Sequence, residues 1–199
     1  MRAAYTDKGT NTIPGLSTEN IVALRSPTVN PQLADEKKGA QLVTTPVVAF
    51  YMAGNNSYLG YNNIDLSGIK EIQFTVQAQP RAGAVGGVIE VHLDKPDGKL
   101  IGKTDSVASK DIDFRKFMGD SNAKPKDKPG AKPGAPKTPP KIDFDAIMKM
   151  MNVQAKATIE PTEGFHNIYF VFKNDKGGAD KIIMQAVQIN FLNAIALKK

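Results

Sequence analysis

The chain has 199 residues, a net charge of +6, two histidines and no cysteine. That length suits one domain with its own core, and 41% apolar with 23% charged residues is ordinary for a globular chain. The missing cysteine excludes disulfides, thiolate nucleophiles and Cys-based zinc sites, and no run of about 18 apolar residues is present to span a membrane.

The charge is unevenly placed. Residues 123–141 hold Lys124, Lys126, Lys128, Lys132, Lys137 and Lys141 against Asp127, so six minus one is +5 and the rest of the chain carries +1. This tract is rich in Pro and Gly and lacks aromatics, which predicts a flexible solvated loop. Nucleic-acid binding needs charge on structured elements, often with aromatics between, so no nucleic-acid partner is expected.

In chain order, residues 1–26 show Gly9, Pro14 and Gly15 with little periodicity and predict a linker or N-terminal extension. Their start has no apolar h-region, so any export signal is expected outside this sequence. Residues 27–199 form the predicted domain. Strands are expected at Val47–Met52, from Leu59 toward Leu66, and where Ile72, Phe74 and Val76 alternate with polar residues. Ile89, Val91 and Leu93 alternate with Glu90, His92 and Asp94 in the same way, which puts His92 on the face opposite the core. Turns are predicted at Asn55-Asn56, Ser67-Gly68, Gly86-Gly87 and Pro96-Asp97-Gly98, the last closing a hairpin from Leu93 to Ile101.

Residues 108–152 break the pattern and read as an insertion between strands. Two short helical pieces, Asp111–Met118 and Asp143–Met151, flank the 123–141 tract. Three further strands are predicted at Val153–Ile159, His166–Phe172 and Ile182–Leu192. In the last of these, Val187, Ile189 and Phe191 are expected to share the buried face. Eight or nine short strands without intervening helices predict an all-β sandwich or jelly roll of two antiparallel sheets.

Catalytic signals are sparse. His92 and His166 lie at no metal-ligand spacing, no Gly-x-Ser-x-Gly elbow occurs, and Gly83–Gly87 precedes a strand rather than opening a helix. The chain is therefore expected not to be an enzyme. The suggestive cluster is Gly54–Asn63, with Tyr58 and Tyr61 among Asn55, Asn56, Asn62 and Asn63. Sugars present flat C–H faces and a hydroxyl rim, so an aromatic ring with amides beside it is the residue mixture that binds them. The same composition also suits a turn-rich connection whose tyrosines are structural.

The stretch from Gly87 to Gly102 (Gly-Val-Ile-Glu-Val-His-Leu-Asp-Lys-Pro-Asp-Gly-Lys-Leu-Ile-Gly) resembles carbohydrate-binding module family 6. Ile64–Ile69 resembles a strand entry of that family, Gly164–Phe172 its late His-containing strand, and Asn30–Asp35 stands at its opening motif. The resemblance implies a jelly roll without catalysis, attached to a larger multidomain secreted protein of bacterial type and located outside the cytoplasm. It implies polysaccharide or oligosaccharide as ligand and neighbouring domains of a parent protein as partners. By this resemblance one aromatic of the family's sugar site is Tyr58 or Tyr61, the second falls in the loop replaced by the insertion, and Gln185 stands at the site's Asn; with the loop amides the expected sugar-site residues are Asn55, Asn56, Tyr58, Tyr61, Asn62 and Gln185. The calcium that the family binds through two carboxylates would fall at Gln32 and Val187, which carry none, so no cofactor is expected. The alternative is an accessory sandwich that has lost sugar binding and contacts neighbouring domains or subunits.

Overall fold

A computed structural model describes residues 2–10, 12, 14–21, 26–45, 49–113, 144–176, 178 and 181–193. Its strands in chain order are β1 (Arg2–Thr6), β2 (Ser17–Ile21), β3 (Thr28–Val29), β4 (Glu36–Thr44), β5 (Ala49–Asp65), β6 (Ile69–Gln77), β7 (Gly86–Leu93), β8 (Leu100–Lys103), β9 (Val107–Ala108), β10 (Val153–Thr158), β11 (Phe165–Lys173) and β12 (Ile182–Asn193). One helix, α1, spans Phe144–Met151. Every pairing between named strands is antiparallel.

β5 joins the two layers of the sandwich. Its first part pairs with β12 and its second with β11, while β4 runs along its other edge. Lys38 opposes Tyr58 and Ala40 opposes Ala53, so residues 54–57 face the single Gly39. The extra residues bend the strand, with Asn56 at φ 58° and Gly39 at φ 65°. Both residue types tolerate the left-handed region, which is why the bend sits there. The turn predicted at Asn55-Asn56 is thus a bulge inside one continuous strand, and the two runs read on either side of it belong together. The first layer is β10-β6-β12-β5 and the second is β5-β11-β7-β8. At the far side Gly102 bridges to Ile159, so the layers also meet there.

The core fills the space between the layers. Phe170 of β11 lies 5.0 Å from Phe74 of β6 in an edge-to-face arrangement, and touches Tyr61 and Phe191 as well. Phe74, Ile89, Val91, Leu93, Ile168, Phe170, Phe172, Ile189 and Phe191 are all buried in this cluster, as the period-two pattern predicts. Each such side chain withdraws apolar area worth about 1.5–3 kcal/mol from water.

Four expectations are revised or partly met. Val187 is half-buried and outside the core. Ala186 opposes Val76 and Gln188 opposes Thr75, so Val187 is skipped in the register and Ile189 returns to the buried face. Gly86-Gly87 opens strand β7 rather than forming a separate turn, at φ 77° and 152°. The N-terminal stretch read as a linker carries the β1–β2 hairpin, which among the described residues pairs with no strand of the sandwich. In the insertion, α1 matches the second helical piece, whereas residues 111–113 of the first are irregular. The rest of that piece, Asp143 and the 123–141 tract lie outside the described residues.

Candidate functional site

Alternation along a strand sends every second side chain away from the core. In the second layer Leu59, Tyr61, Ile89, Val91, Phe170 and Phe172 point inward. Tyr58 and Gly60 of β5, Tyr169 and Val171 of β11, and Glu90 and His92 of β7 therefore share the outer face. The register aligns them in two rungs. Lys38, Tyr58, Val171, Glu90 and Lys103 form one, and Glu36, Gly60, Tyr169, His92 and Leu100 form the other.

An aromatic pair occupies one side of this face. The Tyr58 and Tyr169 rings meet edge-to-face with centroids 5.7 Å apart. Tyr169 lies flat over Gly60, where a Cβ would come within 2.6 Å of the ring, so only glycine leaves room for it. Burial raises the Tyr169 hydroxyl above its ordinary pKa, and a hydrogen bond with Glu36 adds to the shift. Tyr169 is buried, and Tyr58 is half-buried.

A charged cluster occupies the other side. The Glu90 carboxylate accepts from Lys173 Nζ at 2.6 Å, lies 3.2 Å from His92 Nε2, and pairs more loosely with Lys103 Nζ at 3.6 Å. Burial alone would raise the Glu90 carboxyl. The hydrogen bonds from Lys173 and His92, with the charges of Lys173 and Lys103, outweigh that and hold it below the usual carboxylate range. His92 Nδ1 faces the Gly98 carbonyl at 3.0 Å, which ties the β7–β8 turn to the cluster. A fixed, ionised acceptor beside a ring is an arrangement that can orient a polyol by accepting from its hydroxyls while an apolar C–H face rests on the ring.

The structure separates the residues expected to form one site. Tyr58 is on this face. Tyr61 is 1% exposed, its ring packed in the core and its hydroxyl donating to the Pro31 carbonyl at 3.3 Å, so it offers no surface for stacking. Burial raises the Tyr61 hydroxyl well above the ordinary tyrosine range. Asn55 exchanges two hydrogen bonds with the Asn174 backbone and so braces the bend against the chain after β11. Asn56 is exposed at the bend itself. Asn62 is half-buried, and its backbone N–H donates to Asp35. Gln185 is buried beside Gln77 and Met52 on the first layer, across the sandwich from Tyr58. Glu90, Lys103 and Lys173 were not singled out by composition. The available signal was the alternation itself, which places Glu90 and His92 together on the non-core side of a strong strand pattern.

Beside the charged cluster, at the strand ends, lies a cleft of about 470 Å³. Lys103, Ser106, Lys173, Asn174, Asp175 and Lys176 are among its walls.

No protein-family model matches the sequence, and no curated protein does. Solved structures do. A family 6 carbohydrate-binding module of Clostridium cellulolyticum, solved with xylose, aligns over 83% of this chain and 96% of its own at TM-score 0.54 and 22% identity. A second such module, from Clostridium stercorarium with cellobiose, aligns over 87% and 100% at TM-score 0.53 and 16% identity. This chain has the fold of family 6 carbohydrate-binding modules. That fold also aligns, over 92% of this chain, with 30% of a Bacillus subtilis family 43 arabinoxylan arabinofuranohydrolase, at TM-score 0.53 and 18% identity. The jelly roll expected from the Gly87–Gly102 resemblance is therefore the observed family 6 architecture.

Proposed function

We infer that the protein is a non-catalytic glycan-binding module and that the outer face of its second layer is the binding surface. The observation that carries this reading is the half-buried Tyr58 on the same rung as Glu90, whose carboxylate is fixed by three cationic or imidazole groups. Tyr58 supplies a stacking surface, and Glu90 supplies an acceptor for sugar hydroxyls. Family 6 modules in complex with xylose and cellobiose support the sugar class. The alignment with part of a hydrolase supports a role as one domain of a larger protein acting on polysaccharide.

The test is calorimetric titration of the full chain with neutral oligosaccharides. One ring and one carboxylate, competing with water for hydroxyls, give dissociation constants from millimolar to tens of micromolar, about 4–6 kcal/mol. Tyr58→Ala and Glu90→Gln each weaken binding by about tenfold, or 1.4 kcal/mol. Binding that survives both substitutions unchanged places the site elsewhere.

A further inference from the structure

The charge at the edge of this face exceeds what its own carboxylate neutralises. Glu90 takes Lys173 at 2.6 Å and holds Lys103 only at 3.6 Å. One carboxylate cannot offset two ammonium groups, so positive charge remains once that pairing is complete. Both lysines also line the adjoining cleft, where Lys176 adds a third ammonium and Asp175 is the one acid among the described residues of its walls. Among the described residues Lys176 makes no ion pair. Lys103 keeps about half of its side chain exposed at 48% and is therefore available to a ligand.

The cleft adjoins the outer face through Lys103 and Lys173, which line it and pair with Glu90. Lys173 pairs with Val88 two residues along from the rung that joins Tyr58, Val171 and Glu90. Rungs of one face are about 7 Å apart, so the Lys173–Val88 rung, which lines the cleft, stands one step beyond Glu90. Asn174 and Ser106 are in the same walls, beside the lysines. Hydrogen-bonding groups set among ammonium groups form an environment for a ring that carries an anionic substituent.

We propose that the glycan taken by this face is anionic, with a carboxylate or sulfate group meeting Lys103 and Lys176 in the cleft beside Glu90. This rests on the glycan-binding reading above and names the ligand class for it. Glu90 then has two roles. It accepts from hydroxyls on the ring side, and by holding Lys173 it keeps that ammonium away from the ligand, so Lys103 and Lys176 carry the recognition.

The experiment titrates the full chain with a neutral xylo-oligosaccharide, an oligogalacturonate and a sulfated oligosaccharide of equal length. Each titration is run at about 0.01 M and 1 M salt, between which the screening length drops from about 30 Å to 3 Å. The expected result is at least about tenfold tighter binding of an anionic ligand at low salt, lost at high salt. The K103Q/K176Q double variant is expected to lose that preference. Preference for the uronate alone identifies carboxylate as the recognised group, and equal preference for both identifies charge; either supports the proposal. Neutral sugar bound as tightly as the anionic ones, or a preference that survives high salt or the double variant, overturns it while leaving the glycan-binding reading intact. If none of the three binds, the glycan-binding reading itself falls.

Discussion

Glu90 and Tyr61 are both polar groups taken largely out of water, and their neighbours give them opposite roles. Tyr61 meets a single carbonyl at 3.3 Å and is otherwise surrounded by core, so it belongs to packing. Glu90 meets Lys173, His92 and Lys103, which hold its carboxyl in the ionised form although it is buried. The depressed Glu90 carboxyl links stability to pH. A carboxyl with a folded pKa below its unfolded value contributes stability above the unfolded value, here about 4.5, and loses it as pH falls through the folded one. Thermal melts between pH 7 and pH 3 are thus expected to show a decline in Tm below about pH 4.5 that is shallower in Glu90→Gln. An identical decline in both proteins would mean that Glu90 is not the linked group. Composition could not separate the two tyrosines of Gly54–Asn63, because their fates depend on parity within β5. Tyr58 and Tyr61 are three apart, so one points out and the other in. Composition named tyrosine and asparagine as the residue types and left the face undecided.

At the scale of elements, strands whose pattern is local were legible. The alternation in β6, β7 and β11 gave their inward faces residue by residue, and the Pro-Asp-Gly turn gave the β7–β8 hairpin. The bend in β5 and the skipped residue in β12 were not legible. Both are set by partners far along the chain: β5 bends where its neighbour changes from β12 to β11, and Val187 is skipped against β6. One extra residue reverses the facing of everything after it, so a strict period-two reading fails at that point. Among the described residues the β1–β2 hairpin pairs only with itself, and a lone two-stranded hairpin is marginal in water. Removing residues 1–21 is therefore expected to change sandwich stability by less than about 0.5 kcal/mol in chemical denaturation. A loss of several kcal/mol would show that the hairpin packs on the sandwich.

For the molecule as a whole, the two-layer β architecture follows from the clustering of alternating strands and turn residues, and the Gly87–Gly102 segment pointed to the family 6 version of it. The charged cluster was less legible because its members come from β7, β8 and β11, and only the fold brings them together. The cation expectation is also tested on the whole molecule. Gln32 donates its amide to the Ala49 carbonyl at 3.4 Å, and Val187 has no polar side-chain atom, so the two positions offer no carboxylate for calcium. Millimolar calcium should leave Tm unchanged, whereas an ion at ten times its dissociation constant would add about 1.4 kcal/mol. A rise in Tm reversed by a chelator would contradict this. The central claim is that the second layer's outer face binds glycan, and amide chemical-shift mapping of the full chain with an oligosaccharide that it binds tests it most directly. The account predicts perturbations concentrated on Tyr58, Tyr169, Val171, Glu90, His92 and Lys173. Perturbations concentrated instead around Gln77 and Gln185 on the first layer would contradict it.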